Sequence, residues 1–165
     1  MIESQNIRQI LAILVTDIVG STEIMNNDEK KGWEYIRKQR DIVPPTISKM
    51  HGNMFKEMGD GTLSKFKSAI DAVQCAFKIR DEAIANDLPI RISVHLGDVM
   101  TDGNDVIGTG VNIASRINSL GEAGGIVVSE DVWKQIRNQD NVSGTSIGHK
   151  DIKGYHQTVE VFEVT

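Results

Sequence analysis

Two apolar runs in this chain each end on an aspartate with glycine close by: Asp17 in LAILVTDIVGST, three residues before Gly20, and Asp60 in KEMGDGTLSKF, between Gly59 and Gly61. A short, nearly continuous apolar run such as Ile10 to Asp17 is the pattern of a central strand covered on both faces. A carboxylate at the end of such a strand, close to a residue without a side chain, emerges where backbone can approach a phosphate. Two of them on neighbouring strands suit hard divalent ions, which take oxygen ligands and bridge to nucleotide phosphates. The chain must therefore fold so that two strand ends meet, and the chemistry indicated is phosphoryl or nucleotidyl transfer.

The rest of the pattern fits around those strands. Gly20-Ser21-Thr22 leads into a helical stretch with Ser21 or Thr22 as its cap, and the amides of that turn point at an anion. Asp28 to Ile42 has helical spacing, Pro44-Pro45 interrupts or restarts it, and a further helical stretch runs to Met50. Asn53 to Met58 and Thr62 to Phe66 read as strands joined across Gly59-Asp60-Gly61. Ser68 to Ala85 is an amphipathic helix capped by Ser68. Ile90 to Leu96 alternates as a half-exposed strand does, with a second hairpin tip at Gly103-Asn104. Thr109 to Leu120 is a helix with Val111, Ile113, Ala114 and Ile117 on its apolar face, stopped by Gly121 and Gly124-Gly125. Ile126 to Val128 is a strand, Glu130 to Arg137 a helix and Val159 to Val164 a last strand. Hairpins interrupt the alternation of strands and helices, which gives an α+β class with a mixed sheet and not a doubly wound parallel one.

At 165 residues the chain makes one domain, 1–165 with its core at about 10–164. A net charge of -5 disfavours a broad nucleic-acid surface, so any polyanionic ligand needs a local site. Cys75 is the only cysteine and reads as a small buried apolar residue, which indicates a reducing, cytoplasmic setting. No stretch approaches the roughly 20 apolar residues of a membrane span, and Met1 to Gln9 is too polar for a signal peptide. The last strand-like run ends on the last residue, as in a piece of a longer protein whose other parts carry regulation. His51, His95, His149 and His156 do not cluster at metal-ligand spacing. Trp33 and Trp133 sit on helical patterns as packing residues.

Around the two aspartates stand further groups with chemistry. Lys56 lies on the incoming hairpin strand before Asp60, Asp105 follows the second hairpin tip, and Asn112 and Arg116 share a helix face at i, i+4 spacing. Each alone has a bland account, as a solvated lysine, a turn former or an exposed face. Together and in this order, the strings TDIVGST, KEMGDG and DVIGTGVNIASR resemble the catalytic domain of class III nucleotidyl cyclases, over about Ile10 to Val164. The short connection from Gly97 to Asp105 looks like the bacterial subgroup with a short dimerisation arm.

The resemblance implies a ferredoxin-like, palm-like core with a mostly antiparallel sheet flanked by helices. It implies that Asp17, Asp60 and the Ile18 carbonyl hold two Mg²⁺ or Mn²⁺ ions, and that Val19, Gly20, Ser21 and Thr22 contact phosphate. Lys56 and Asp105 match the purine-reading pair, a donor for adenine N1 and an acceptor for its exocyclic amine, so ATP is the expected substrate; guanine presents the opposite polarity at both positions. Asn112 matches the residue that orients the ribose, Arg116 the one that stabilises charge at the α-phosphoryl group, and Lys153 a lysine on the terminal phosphates. The family builds its two sites across a two-fold homodimer, one chain giving the metal aspartates and the other the base readers with Asn112 and Arg116. Val15 in place of an aromatic residue and the extra Gly110, read as a flexible position, depart from the pattern without removing a functional group. Adenylate cyclase is the leading reading. A guanylate or relaxed purine cyclase, and a catalytically silent nucleotide-binding or dimerisation module, are the alternatives.

Overall fold

The computed structural model describes residues 6–165; the first five residues of the polar stretch Met1 to Gln9 lie outside it. Its elements run β1 (Ile7–Ile18), α1 (Ser21–Asn27), α2 (Glu29–Lys49), β2 (Asn53–Met58), β3 (Gly61–Phe66), α3 (Ala69–Ala85), β4 (Ile90–Asp102), β5 (Asp105–Ile107), α4 (Thr109–Asn118), β6 (Ile126–Ser129), α5 (Glu130–Ile136), β7 (Gly144–Asp151) and β8 (Thr158–Val164). The strands form one sheet in the order β2-β3-β1-β4-β6-β8-β7, with β5 paired to β4. Every pairing is antiparallel except β4 with β6, so the sheet is mixed. The first four strands with their helices make the ferredoxin-like unit expected from the sequence, and the class is α+β.

β1 is central and buried on both faces. Ala12, Leu14 and Ile18 join a large cluster with residues of α2, α3 and α5, while Leu11, Ile13 and Val15 meet Val111 and Ala114 of α4 on the other side. Ser68 caps α3 by accepting from the Asp71 amide, as its position indicates.

Four local expectations change. Pro44 and Pro45 lie inside one continuous α2. The carbonyls they leave without a partner belong to exposed Arg40 and Asp41, where water can reach them, while Ile42, Val43, Thr46 and Ile47 bury the opposite stripe. Packing of that stripe outweighs the helix-breaking tendency. The cap of α1 is Gly20, in a left-handed conformation at φ 72, with no side-chain cap bond from Ser21 or Thr22. The strand that opens at Ile90 continues to Asp102 and is not half-exposed, because α4 covers its second face: Ser93 and His95 are buried, bonded to the Ala114 carbonyl at 3.0 Å and to Ser129 Oγ at 2.8 Å. Trp33 is 47% exposed and packs little, whereas Trp133 stacks on Phe162 as a packing residue should. The edge strand β7 had no sequence signal, since an edge needs few apolar residues and GTSIGHKD supplies almost none.

Candidate active site

Asp17 and Asp60 come together at one end of the sheet. Asp17 is the penultimate residue of β1 and Asp60 sits in the β2–β3 turn, where Gly59 takes the left-handed φ of 53 that the tight turn needs. The Asp60 carboxylate accepts from Ser21 Oγ at 2.6 Å and lies 3.4 Å from the Ile18 amide, so the turn is held against the end of β1. Gly61 permits that approach, since a Cβ there would stand 3.0 Å from the Thr16 carbonyl and 3.7 Å from Asp17 Cβ.

Arg91 is a member of this cluster that the sequence pattern did not mark. It stands directly across from Asp17 on β4 and grips both carboxylate oxygens, Nε to Oδ1 at 2.7 Å and Nη2 to Oδ2 at 2.8 Å. This hydrogen bond, with the charges of Asp17 and Asp60, raises the guanidinium pKa against the opposing effect of burial. The available signal was an arginine on an apolar strand, and its pairing with Asp17 is legible only once the register of β1 on β4 is known. Among the described residues no group of three or more His, Cys, Asp or Glu assembles to hold a metal alone. Two carboxylates that already attract a cation fit an ion such as Mg²⁺, which takes one or two carboxylates and completes its shell with water and phosphate oxygens. The Val19 amide is engaged by the Pro89 carbonyl at 2.8 Å, so in the turn that follows it is Gly20, Ser21 and Thr22 that remain for a phosphate.

A second set of groups lies elsewhere. Asn112 and Arg116 project from the exposed face of α4 into a cleft of about 470 Å³ that Lys153 and Tyr155 also line. α4 sits close to β4 because Gly110 is buried against it: a Cβ there would fall 2.9 Å from the Asp98 carbonyl. Gly110 is thus a packing position and not a flexible one. The cleft contains neither aspartate. Clefts of about 560 and 650 Å³ contain none of the candidate residues, so volume does not identify the site.

Lys56 and Asp105 form the third set. A β-bulge between Met54 and Lys56 sets Phe55, half-buried, against the core and leaves Lys56 exposed. Asp105 opens β5, its Oδ1 accepting from the Val106 amide at 2.9 Å, and β5 comes into contact with β2.

The family model for the adenylate and guanylate cyclase catalytic domain matches residues 2–165. A Rhizobium meliloti (strain 1021) protein named "Putative adenylate cyclase 3" is 32% identical over 164 residues, which cover 94% of this chain and 28% of that protein. The chain thus spans little more than a quarter of that relative's length. The crystal structure of an adenylate/guanylate cyclase/hydrolase from Silicibacter pomeroyi is 26% identical with a TM-score of 0.89, over 96% of this chain and 98% of that one. The adenylyl cyclase CyaB from P. aeruginosa shares the fold at a TM-score of 0.87 and 23% identity, over 98% and 96% of the two chains. With its motifs, its fold and this match over nearly its whole length, the chain belongs to the family of class III nucleotidyl cyclase catalytic domains.

Proposed function

We propose that the chain converts ATP to 3′,5′-cyclic AMP and pyrophosphate at two composite sites of a homodimer. The observation that supports this best is the separation of the parts: paired carboxylates at one end of the sheet, and Asn112, Arg116 and Lys153 around a cleft that contains neither of them. A two-fold arrangement of identical chains brings one set against the other.

Asp17, Asp60 and the Ile18 carbonyl would hold two Mg²⁺ or Mn²⁺ ions, which when bound supply charge neutralisation at the triphosphate and a lower cost of ionising the ribose 3′-hydroxyl. Arg91 keeps the Asp17 carboxylate oriented. Gly20, Ser21 and Thr22 present amides to phosphate oxygens. From the partner chain, Asn112 orients the ribose for in-line attack on the α-phosphorus. Arg116 stays charged and offers several donors to the charge that develops on the α-phosphoryl oxygens. Lys153 contacts the terminal phosphates. Lys56 and Asp105 read adenine by offering a donor and an acceptor where guanine would offer the reverse polarity. Regulatory segments in a longer natural chain are part of the same reading.

The test is to supply purified protein with ATP or GTP and with Mg²⁺ or Mn²⁺, and to measure both cyclic nucleotides. Cyclic AMP is expected to dominate, and Asp17→Ala or Asp60→Ala should abolish it while leaving the fold intact. Dominant cyclic GMP would contradict the substrate, and near-normal turnover of either variant at saturating Mn²⁺ would contradict the metal assignment.

A further inference from the structure

Thr16 and Thr62 face each other across β1 and β3 at the last register pair before both strands end. Their hydroxyl oxygens are 2.7 Å apart, and the residues are 0% and 1% exposed. Thr16 immediately precedes Asp17, and Thr62 follows Asp60 after a single glycine. Gln39 reaches the same turn from α2, itself 0% exposed, with Nε2 3.5 Å from the Asp60 carbonyl and Oε1 without a partner in the described chain.

Buried hydroxyls and amides are costly unless they are paired, and valine would fill either threonine position with the same shape and no polar atom. What valine lacks is direction. Methyl groups tolerate sliding, whereas a hydroxyl pair at 2.7 Å sets both the distance and the angle between two strand ends. Those ends carry the two carboxylates, Asp60 on a tight turn in which Gly59 takes a left-handed φ and Gly61 lies close against the Thr16 carbonyl.

We propose that Thr16 and Thr62, with Gln39 as a strut on the turn, are positioning residues that fix the spacing of the Asp17 and Asp60 carboxylates for the metal ions. The proposal rests on the metal assignment made under Proposed function. The threonines touch neither ion nor substrate; they act through the residues beside them, as the groups behind a metal ligand do.

The experiment reads Mn²⁺ binding to the whole chain by electron paramagnetic resonance of the free ion, and separately the urea midpoint of unfolding. Thr62→Val should weaken Mn²⁺ binding about tenfold and lower the urea midpoint, because the Thr16 hydroxyl is left buried without a partner. Thr62→Ser should restore both. The decisive variant is Thr16→Val with Thr62→Val, which removes both hydroxyls and should recover the urea midpoint while Mn²⁺ binding stays weak. Wild-type Mn²⁺ affinity in Thr62→Val, or recovery of both quantities in the double variant, would reduce the pair to packing and overturn the proposal. Asp60→Asn is the separate control: if it binds Mn²⁺ as the wild type does, the metal assignment itself falls, and the proposal with it.

Discussion

Arg91 neutralises Asp17 from the neighbouring strand, and each side chain of the pair is only 25% exposed. A pair of this kind holds a carboxylate in orientation without committing it, since a divalent ion offers a stronger charge at the same oxygens. In the proposed reading, specificity rests at the same scale on Lys56 and Asp105, both exposed. Lys56→Glu with Asp105→Cys should lower the ATP over GTP ratio of kcat/KM by about tenfold or more, by analogy with polar readers left facing the wrong group. An unchanged ratio would place base reading elsewhere in the pocket. His95 gives a pH signature of the fold. Burial pushes its pKa down from 6.5 to about 4, so from pH 6.5 to about pH 4 the unfolded chain binds a proton that the folded chain does not. Stability contributed by the neutral ring is therefore complete above pH 6.5 and is lost as pH falls through that window, by about 3 kcal/mol in all. His95→Asn should flatten the pH dependence of the urea-derived stability between pH 6.5 and 4 relative to wild type, and an unchanged slope would refute it. Cys75 is the opposite case of the same physics: burial raises its thiol to about 12 and leaves it inert.

Helix α4 is the element on which the proposed catalytic half-site depends, and its placement is set by glycine contacts with β4. Gly110→Ala puts a methyl 2.9 Å from both the Asp98 carbonyl and Val99 Cγ1, and the backbone on that side has nowhere to go. The helix should shift outward, at a cost of about 1–3 kcal/mol, and carry Asn112 and Arg116 with it. The expected result is a kcat lower by about tenfold or more with KM for ATP less affected, because orientation is what is lost; wild-type kcat would show that α4 tolerates the displacement. Elements like this were legible from periodicity, as were β1, α3 and both hairpins, because each has a continuous apolar stripe and a turn residue at its end. What was not legible depends on neighbours. The double proline in α2 is tolerated because its stripe packs and its orphaned carbonyls face water. The burial of Ser93 and His95 follows from α4 lying over β4, which strand alternation cannot foresee. Edge strand β7 has no buried face of its own to announce it.

At the scale of the molecule, the sequence placed Asp17, Asp60, Lys56, Asp105, Asn112, Arg116 and Lys153 by resemblance to family motifs, and the structure puts them in three separate places on one chain. Arg91 and the Thr16–Thr62 pair stayed hidden because their meaning lies in strand register, a long-range property. In the proposed reading, that separation leaves a single chain with an incomplete site. An Asp60→Ala chain and an Asn112→Ala chain should each be nearly inactive as homodimers, since every site in them carries the lesion. When the two are mixed and exchange subunits freely, about half of the dimers are mixed, with both lesions in one site and an intact second site. Cyclic AMP formation should then recover to roughly a quarter of wild type. No recovery, with subunit exchange demonstrated independently, would mean that Asp60 and Asn112 of one chain serve one site, and would contradict the composite dimer.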